Sequence, residues 1–185
     1  KTYAEFVAAA RAAPGKLTFG SSGNYGTMHM PMAMLELQQG VKLTHVPYTG
    51  AGPAIVGLLG GQVDAIATGP ATIVQHVKAG KVRVLAHWGD ARLASLPDVP
   101  TLKELGVPID YAQWSGLFVP AGTPEPVVAR LREAAKAAAS DERVGQVLGT
   151  AGSPVLYMDA PEFQRYVDAD AAKMAEIVKK VGKLE

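Results

Sequence analysis

Apolar positions in this chain recur at helical spacing in some stretches and gather into short β-prone runs in others, and the two kinds alternate. Tyr3 to Ala12 reads as a helix broken at Pro14-Gly15, followed by a strand at Leu17 to Phe19. Helix is then expected at Met28 to Gln39, strand at Lys42 to Val46, helix at Pro53 to Leu59, strand at Val63 to Thr68, helix at Pro70 to Lys78 and strand at Val82 to His87. Gly40, Gly60-Gly61 and Gly80 stand where helix C-caps belong. Strand and helix in alternation, joined by short connections, predict an α/β fold with a parallel sheet and helices on its faces.

The pattern changes after His87. A proline-containing loop from Ala91 to Pro100 leads to a short helix at Thr101 to Leu105 and a strand-like segment at Tyr111 to Val119 that carries Trp114. Three helices are expected beyond it, at Pro124 to Ala139, Asp141 to Ala151 and Ala160 to Val181, with a brief strand at Val155 to Tyr157. A boundary is expected near Gln113 to Gly116. The stretch beyond it has helices and almost no strands, so it cannot build a parallel sheet and should belong to a lobe whose sheet comes from elsewhere.

The loops between strand and helix carry the candidate chemistry. Phe19-Gly-Ser-Ser-Gly-Asn-Tyr-Gly-Thr-Met-His29 turns from a strand into a helix start, offering backbone N–H groups and hydroxyls suited to an anion or carboxylate. Leu43-Thr-His-Val-Pro-Tyr-Thr-Gly-Ala-Gly-Pro53 repeats the arrangement, with Pro53 at a first-turn position. Thr68-Gly-Pro70 occupies the equivalent place one unit later. Open α/β sheets bind ligands at the carboxyl ends of their strands, where all three loops fall, although serines, threonines and glycines there also serve as plain caps and turns.

Composition narrows the classes. The chain has 185 residues, enough for one large or two small domains, and 48% hydrophobic content, enough for a buried core. Eighteen basic and 17 acidic residues, scattered to a net +1, present no polyanion-binding face, so nucleic acid is not an expected partner. Zero cysteines exclude disulfides and thiolate chemistry without fixing the compartment. No apolar run approaches the ~20 residues of a membrane span. No signal peptide is read, and an opening Lys1 is expected of a mature or trimmed chain.

Catalytic and metal signatures fail on inspection. Gly20-Ser-Ser-Gly-Asn24 places its second glycine one residue too early for a nucleophile elbow. Gly15-Lys16, Gly80-Lys81 and Gly182-Lys183 are followed by Leu or Val, where a phosphate-binding loop needs Ser or Thr. The histidines at 29, 45, 76 and 87 lack metal-ligand spacing, so no metal site and no cofactor are expected. His29 reads as a packed histidine bonded to nearby backbone, and Asp64 as a structural cap. Gly50-Ala-Gly-Pro-Ala-Ile55 comes within one residue of a dinucleotide fingerprint. Ile55 obstructs the close helix approach that fingerprint requires, and no acidic residue ends the next strand as a ribose partner. A dinucleotide-binding α/β enzyme is the alternative reading.

An ordered set of motifs carries a resemblance. Ser21-Ser-Gly-Asn with His29 close behind, Val46-Pro-Tyr-Thr-Gly50, Leu58-Leu-Gly-Gly-Gln-Val-Asp64 and Lys78-Ala-Gly-Lys-Val-Arg-Val-Leu-Ala86 come in turn. Leu96-Pro-Asp-Val-Pro-Thr-Leu-Lys-Glu-Leu-Gly106 and Trp114-Ser-Gly-Leu-Phe-Val-Pro-Ala-Gly-Thr-Pro124 complete them. Together they resemble the periplasmic substrate-binding proteins of tripartite tricarboxylate transporters, the Bug or TctC-like family. The resemblance implies a two-lobed, type II periplasmic-binding-protein-like fold. Residues 1–113 would be ligand-binding lobe two, and 114–185 the return into an incomplete, mainly helical lobe one, with most of that lobe absent upstream. It also implies a non-enzymatic, periplasmic receptor for a small organic dicarboxylate or aromatic acid, partnered by membrane transporter subunits, with self-association through the incomplete lobe.

The same resemblance favours a ligand-binding role for Ser21, Ser22, Gly23, Tyr25 and Thr27, for Tyr48, Thr49, Gly50, Ala51 and Gly52, and for Thr68 and Gly69. Trp114 is expected to shield the cleft or to fill the core between lobes. Three departures from the family pattern bear on the ligand: Thr49 where a basic residue is common, Tyr25-Gly26 in place of a Gly-Ser pair, and Ala86-His-Trp-Gly-Asp90 where small hydroxylated residues are usual. A bulkier, more aromatic pocket would suit a larger acid.

Overall fold

The computed structural model describes residues 1–182, which divide into two compact units. The first holds Lys1–Gln113 with Val181 and Gly182; the second holds Trp114–Lys180.

In the first unit, α1 (Tyr3–Ala12) starts with a capping box in which Thr2 and Glu5 each bond the other's backbone N–H. Three strands follow in alternation with helices: β1 (Thr18–Ser21), α2 (Met30–Gln39), β2 (Thr44–Pro47), α3 (Ala51–Leu59), β3 (Ala65–Ile66) and α4 (Pro70–Lys78). The sheet is parallel in the order β2-β1-β3, with Phe19 beside both His45 and Ala65. Central β1 is therefore buried over its last three residues, and Phe19 is fully enclosed. α2 is apolar from Met30 through Leu35 and buried along that whole run, which makes it the densest part of the core. It ends at Gly40, whose left-handed φ of 58° closes the last turn as a side-chain-free residue can. Asp64 fastens the start of the sheet, its carboxylate accepting from the Thr18 backbone N–H at 2.8 Å and the Thr18 hydroxyl at 2.9 Å. α3 begins at Ala51, two residues before Pro53, whose missing N–H falls among those a first turn leaves unpartnered.

Two expected elements of this unit are absent. Val82 to His87 makes no ladder with β3; only His87 bridges, in parallel, to Thr101. A cavity of about 540 Å³, with Ala65 and Ile66 on one wall and Val82 to Trp88 on another, separates the segment from the edge of β3. The helix expected at Thr101 to Leu105 is a single capped turn. Thr101 and Glu104 exchange capping bonds, but Gly106, at φ 76°, reverses the chain before a second turn can form.

The second unit contains α5 (Glu125–Ala139), α6 (Glu142–Thr150) and α7 (Ala160–Val181, its last residue falling in the first unit). Neither 111–119 nor 155–157 forms a strand among the described residues, since neither has a sheet to join. None of the three helices buries a residue, and Val127, Val147, Leu117, Phe118 and Leu156 stand exposed. Trp114 packs on α7, edge-on to Phe163 and Tyr166, and its indole N–H donates to Asp170 at 3.0 Å. Gly116 passes so close to Phe163 that a Cβ there would lie 2.3 Å from the ring. Arg132 grips Asp159 with two nitrogens at 2.7 and 2.9 Å, holding its carboxyl well below the usual carboxylate range.

Candidate functional site

Every strand of the sheet delivers its chain to a helix start on the same edge. β1 leads through 22–29 to α2, β2 through 48–50 to α3, and β3 through 67–69 to α4. Because β2 and β3 flank β1, the crossover through α2 runs from β1 to one neighbour and that through α3 passes back over β1 to the other, and the loops after β1 and β3 border the point where the strand order reverses. The caps of α2, α3 and α4 are His29, Gly50 and Gly69, and none makes a side-chain capping bond. The Met30 N–H is taken by the Gly26 carbonyl and Pro31, Pro53 and Pro70 carry none; the remaining first-turn N–H groups and the positive ends of the helix dipoles face the loops uncovered by side-chain caps.

The β1–α2 loop is held from beneath. Ser21 Oγ is fully buried; it accepts from the Gly23 N–H at 3.1 Å, donates to the Gly23 carbonyl at 3.0 Å and lies 2.6 Å from His45 Nε2. A hydroxyl has one hydrogen, so with that hydrogen given to Gly23 the His45 Nε2 is the donor in its contact. Ser21 thus commits its hydrogen within the loop, whose shape it holds. Gly23, at φ 128°, and Tyr25, at φ 57°, turn the chain; Tyr25 is the one non-glycine described residue with positive φ. That conformation is secured by the Tyr25 N–H donating to His29 Nδ1 at 3.0 Å, and by the Tyr25 hydroxyl donating to the Gly182 carbonyl at 2.8 Å. Tyr111 donates its hydroxyl to the Thr27 carbonyl at 3.0 Å. Among the described residues nothing takes up the Ser22 or Thr27 hydroxyl, and the space above Gly23 is open.

His29, His45 and Phe19 form a stack below the loop. The imidazoles lie 4.1 Å apart at 20°, and Phe19 sits 4.9 Å from His45. Burial lowers the affinity of both histidines for a proton; for His45 the positive charge that His29 would carry adds to it, bringing the value from 6.5 to about 4. Both rings are neutral near pH 7. His29 had been expected to bond nearby backbone, and it does; His45 went unmarked because only the β1–β2 register brings it beside Ser21 and Phe19.

In the second loop Tyr48 is a wedge. Its ring rests on Gly20 of β1 and Gly57 of α3, where added Cβ atoms would lie 3.1 Å from Cε2 and 2.3 Å from Oη. Its N–H donates to the Ser21 carbonyl at 2.9 Å, and its hydroxyl to Gln62 Oε1 at 3.4 Å. Thr49 is exposed, Gly50 has φ 150°, and the space above Gly52 is open, so the backbone from Gly50 through Ala51 to Gly52 is approachable. In the third loop Thr72 Oγ1 donates to the Gly69 carbonyl at 2.7 Å, which leaves Thr68 as donor to Thr72 at 2.8 Å. The Thr68 hydroxyl is therefore spent locally. Gly69 lies under the Gln113 amide, whose Oε1 would stand 3.0 Å from an added Cβ. Gln113 was read only as a boundary residue, and the sequence carries no local signal for that approach.

Two hollows are described in this unit, and one of them reaches the third loop. The 540 Å³ cavity is lined by Phe6, Met32, Leu35, Val84 and Leu102 and meets the third loop at Ala67, Thr68 and Pro70; the other runs between Gly80–Val84 and Ser95–Val99. The loops form an open half-cleft of backbone donors and hydroxyls. Among the described residues no His, Asp or Glu group could hold a metal ion, and no helix is long and apolar enough to cross a membrane. Ile55, at the position a dinucleotide fingerprint reserves for a small residue, is buried on α3.

Comparison with known proteins supplies the context. The family described as the tripartite tricarboxylate transporter family receptor matches residues 1–183. A UPF0065 protein in the gbd 5' region of Cupriavidus necator is 38% identical over 182 residues, 98% of this chain and 55% of that protein. Solved structures, the periplasmic binding protein BugD among them, superpose over nearly all of the chain. The R. palustris protein Rpa4515, solved with adipate, has a TM-score of 0.90 at 28% identity and is matched over 98% of this chain and 61% of its own. MatC from Rhodopseudomonas palustris, with bound malate, has a TM-score of 0.88 at 30% identity, over 96% of this chain and 62% of its own. The chain thus spans about half the length of the curated relatives it matches.

Proposed function

The chain belongs to the tripartite tricarboxylate transporter family of receptors, and on that premise we propose that it captures a small organic carboxylate for delivery to membrane transporter subunits, without chemical change to it. The observation that carries this reading is the convergence of three helix starts without side-chain caps at the carboxyl edge of the sheet, in a fold whose solved neighbours hold adipate and malate. One ligand carboxylate sits over 22–27, taking hydrogen bonds from the Ser22 and Thr27 hydroxyls, while the Gly23 and Tyr25 N–H groups, bonded to Ser21 and His29, hold the loop in shape. The backbone of Gly50, Ala51 and Gly52 and the edge formed by Thr49 and Gly69 face the rest of the molecule, while Tyr48, Ser21 and Thr68 hold these loops in shape. No Lys or Arg lies within the three loops, so hydroxyls and helix dipoles meet the charge.

We assign 1–113 to the second lobe of a two-lobed, periplasmic receptor and 114–185 to the return into the first. Closure between the lobes then covers the ligand, and the exposed apolar side chains of the second unit, such as Val127 and Leu117, are a face through which the chain self-associates. Calorimetry with C4 to C6 dicarboxylates on a protein of the relatives' full length tests the reading. Ser22→Ala and Thr27→Ala should each weaken binding by about 1–3 kcal/mol, the range for a hydrogen bond to a charged partner. Unchanged affinity in both variants, or turnover of the acid, rejects it.

A further inference from the structure

We propose that His29 is a positioning residue for the carboxylate loop: its unprotonated Nδ1 holds the Tyr25 backbone in the left-handed turn, so the loop keeps its ligand-ready shape only while His29 is neutral. The inference deepens the function proposed above and rests on it where ligand affinity is concerned. Tyr25 is a non-glycine residue at φ 57°, a conformation that costs energy unless something pays for it. The Tyr25 N–H meets His29 Nδ1 at 3.0 Å, so that nitrogen is an acceptor and the ring proton resides on Nε2. Protonation puts a hydrogen on Nδ1, and two donors then face each other across the bond that fixes the turn.

The surroundings leave His29 little means of tolerating a proton. It is 2% exposed. The titratable groups facing it are His45 of β2, stacked at 4.1 Å, and Tyr25 of its own loop, edge-on at 5.8 Å; Phe19 of β1 lies parallel at 5.9 Å. Among the described residues no carboxylate bonds either imidazole, so no partner compensates the charge. Burial opposes the proton in the same direction. Once His29 takes one, the strained turn at Tyr25 loses its backbone tether and keeps only the side-chain contacts of Tyr25, and the Ser22 and Thr27 hydroxyls on either side lose their common orientation. Direct attraction between a protonated His29 and a bound anion would act the other way, so the sign of the pH dependence is decisive.

Two variants separate these effects: His29→Asn, whose Oδ1 can accept from the Tyr25 N–H and does not titrate, and His29→Leu, which offers no acceptor. The first readout is the Tyr25 backbone amide resonance of the ligand-free chain as the pH is lowered from about 7.5 through the acid range in which the chain stays folded. It should titrate in the parent protein, stay constant in His29→Asn and be displaced at every pH in His29→Leu. The second is dicarboxylate affinity in the full-length protein. The parent should weaken about threefold more than His29→Asn over that range, and His29→Leu should be about tenfold weaker than the parent at pH 7.5, one hydrogen bond of about 1.4 kcal/mol. A Tyr25 amide indifferent to pH and to His29→Leu overturns the inference, as does affinity that rises on acidification relative to His29→Asn. A titrating amide beside pH-independent affinity removes the ligand from this loop and overturns the proposed site, while leaving the tether itself established.

Discussion

Replacing Gly57 by Ala should destabilise the protein even though glycine inside a helix is ordinarily a liability. In an exposed helix the change gains about 1 kcal/mol, because alanine restricts the unfolded chain and glycine exposes backbone. Gly57 is buried on α3, and a Cβ there would lie 2.3 Å from Tyr48 Oη, 2.7 Å from Cζ and 3.1 Å from Cε1. The ring cannot retreat toward the sheet, since Gly20 already receives its other edge. Overpacking of that kind costs about 1–3 kcal/mol, so once the helix gain is subtracted the net loss should be up to about 2 kcal/mol. Urea denaturation measures it. Tyr48→Phe leaves Cζ in place and should not relieve the loss, whereas Tyr48→Leu should abolish it, giving a double-mutant coupling of about 1 kcal/mol or more. Gly57→Ala at or above the parent stability would refute the wedge and with it the account of how the second loop is held.

Two further outcomes follow from polar contacts along the sheet. An unfolded His45 takes up its proton near 6.5 and the folded one only near 4, so its contribution to stability is complete above 6.5 and drains as the pH falls from 6.5 toward 4. The ceiling of about 3 kcal/mol is cut to about 1–2 by solvent reaching a half-buried ring, and denaturation at several pH values should show that slope flattened in His45→Gln; equal slopes would contradict it. Asp64→Ala should cost about 1 kcal/mol, limited by exposure, and Asp64→Asn less, because an amide oxygen still accepts from Thr18; equal losses would show that charge, not acceptance, matters there.

What the sequence disclosed was mostly local. The helix ends at Gly40 and Gly80 were readable because a left-handed C-cap needs a residue without a side chain, and both take positive φ. The three strand-to-helix loops were readable because glycine, hydroxyl and proline mark strand exits. What failed depended on distant partners. Val82 to Leu85 is as β-prone as β2, but a strand exists only when an edge accepts it, and a cavity intervenes. Nor did anything local in the sequence reveal that a histidine 24 residues away meets the Ser21 hydroxyl across the parallel register.

The most direct test of the central claim is to map where a dicarboxylate touches this chain, by following backbone amide resonances of the 185-residue protein as succinate or adipate is added to saturation. The account predicts the largest shifts at Ser22 to Thr27 and at Gly50 to Gly52, with a smaller response at Gly69 and none along Val82 to Leu85. Shifts concentrated around Phe6, Leu35, Val84 and Leu102 would place the acid in the cavity beside β3 and contradict the site proposed at the carboxyl edge of the sheet.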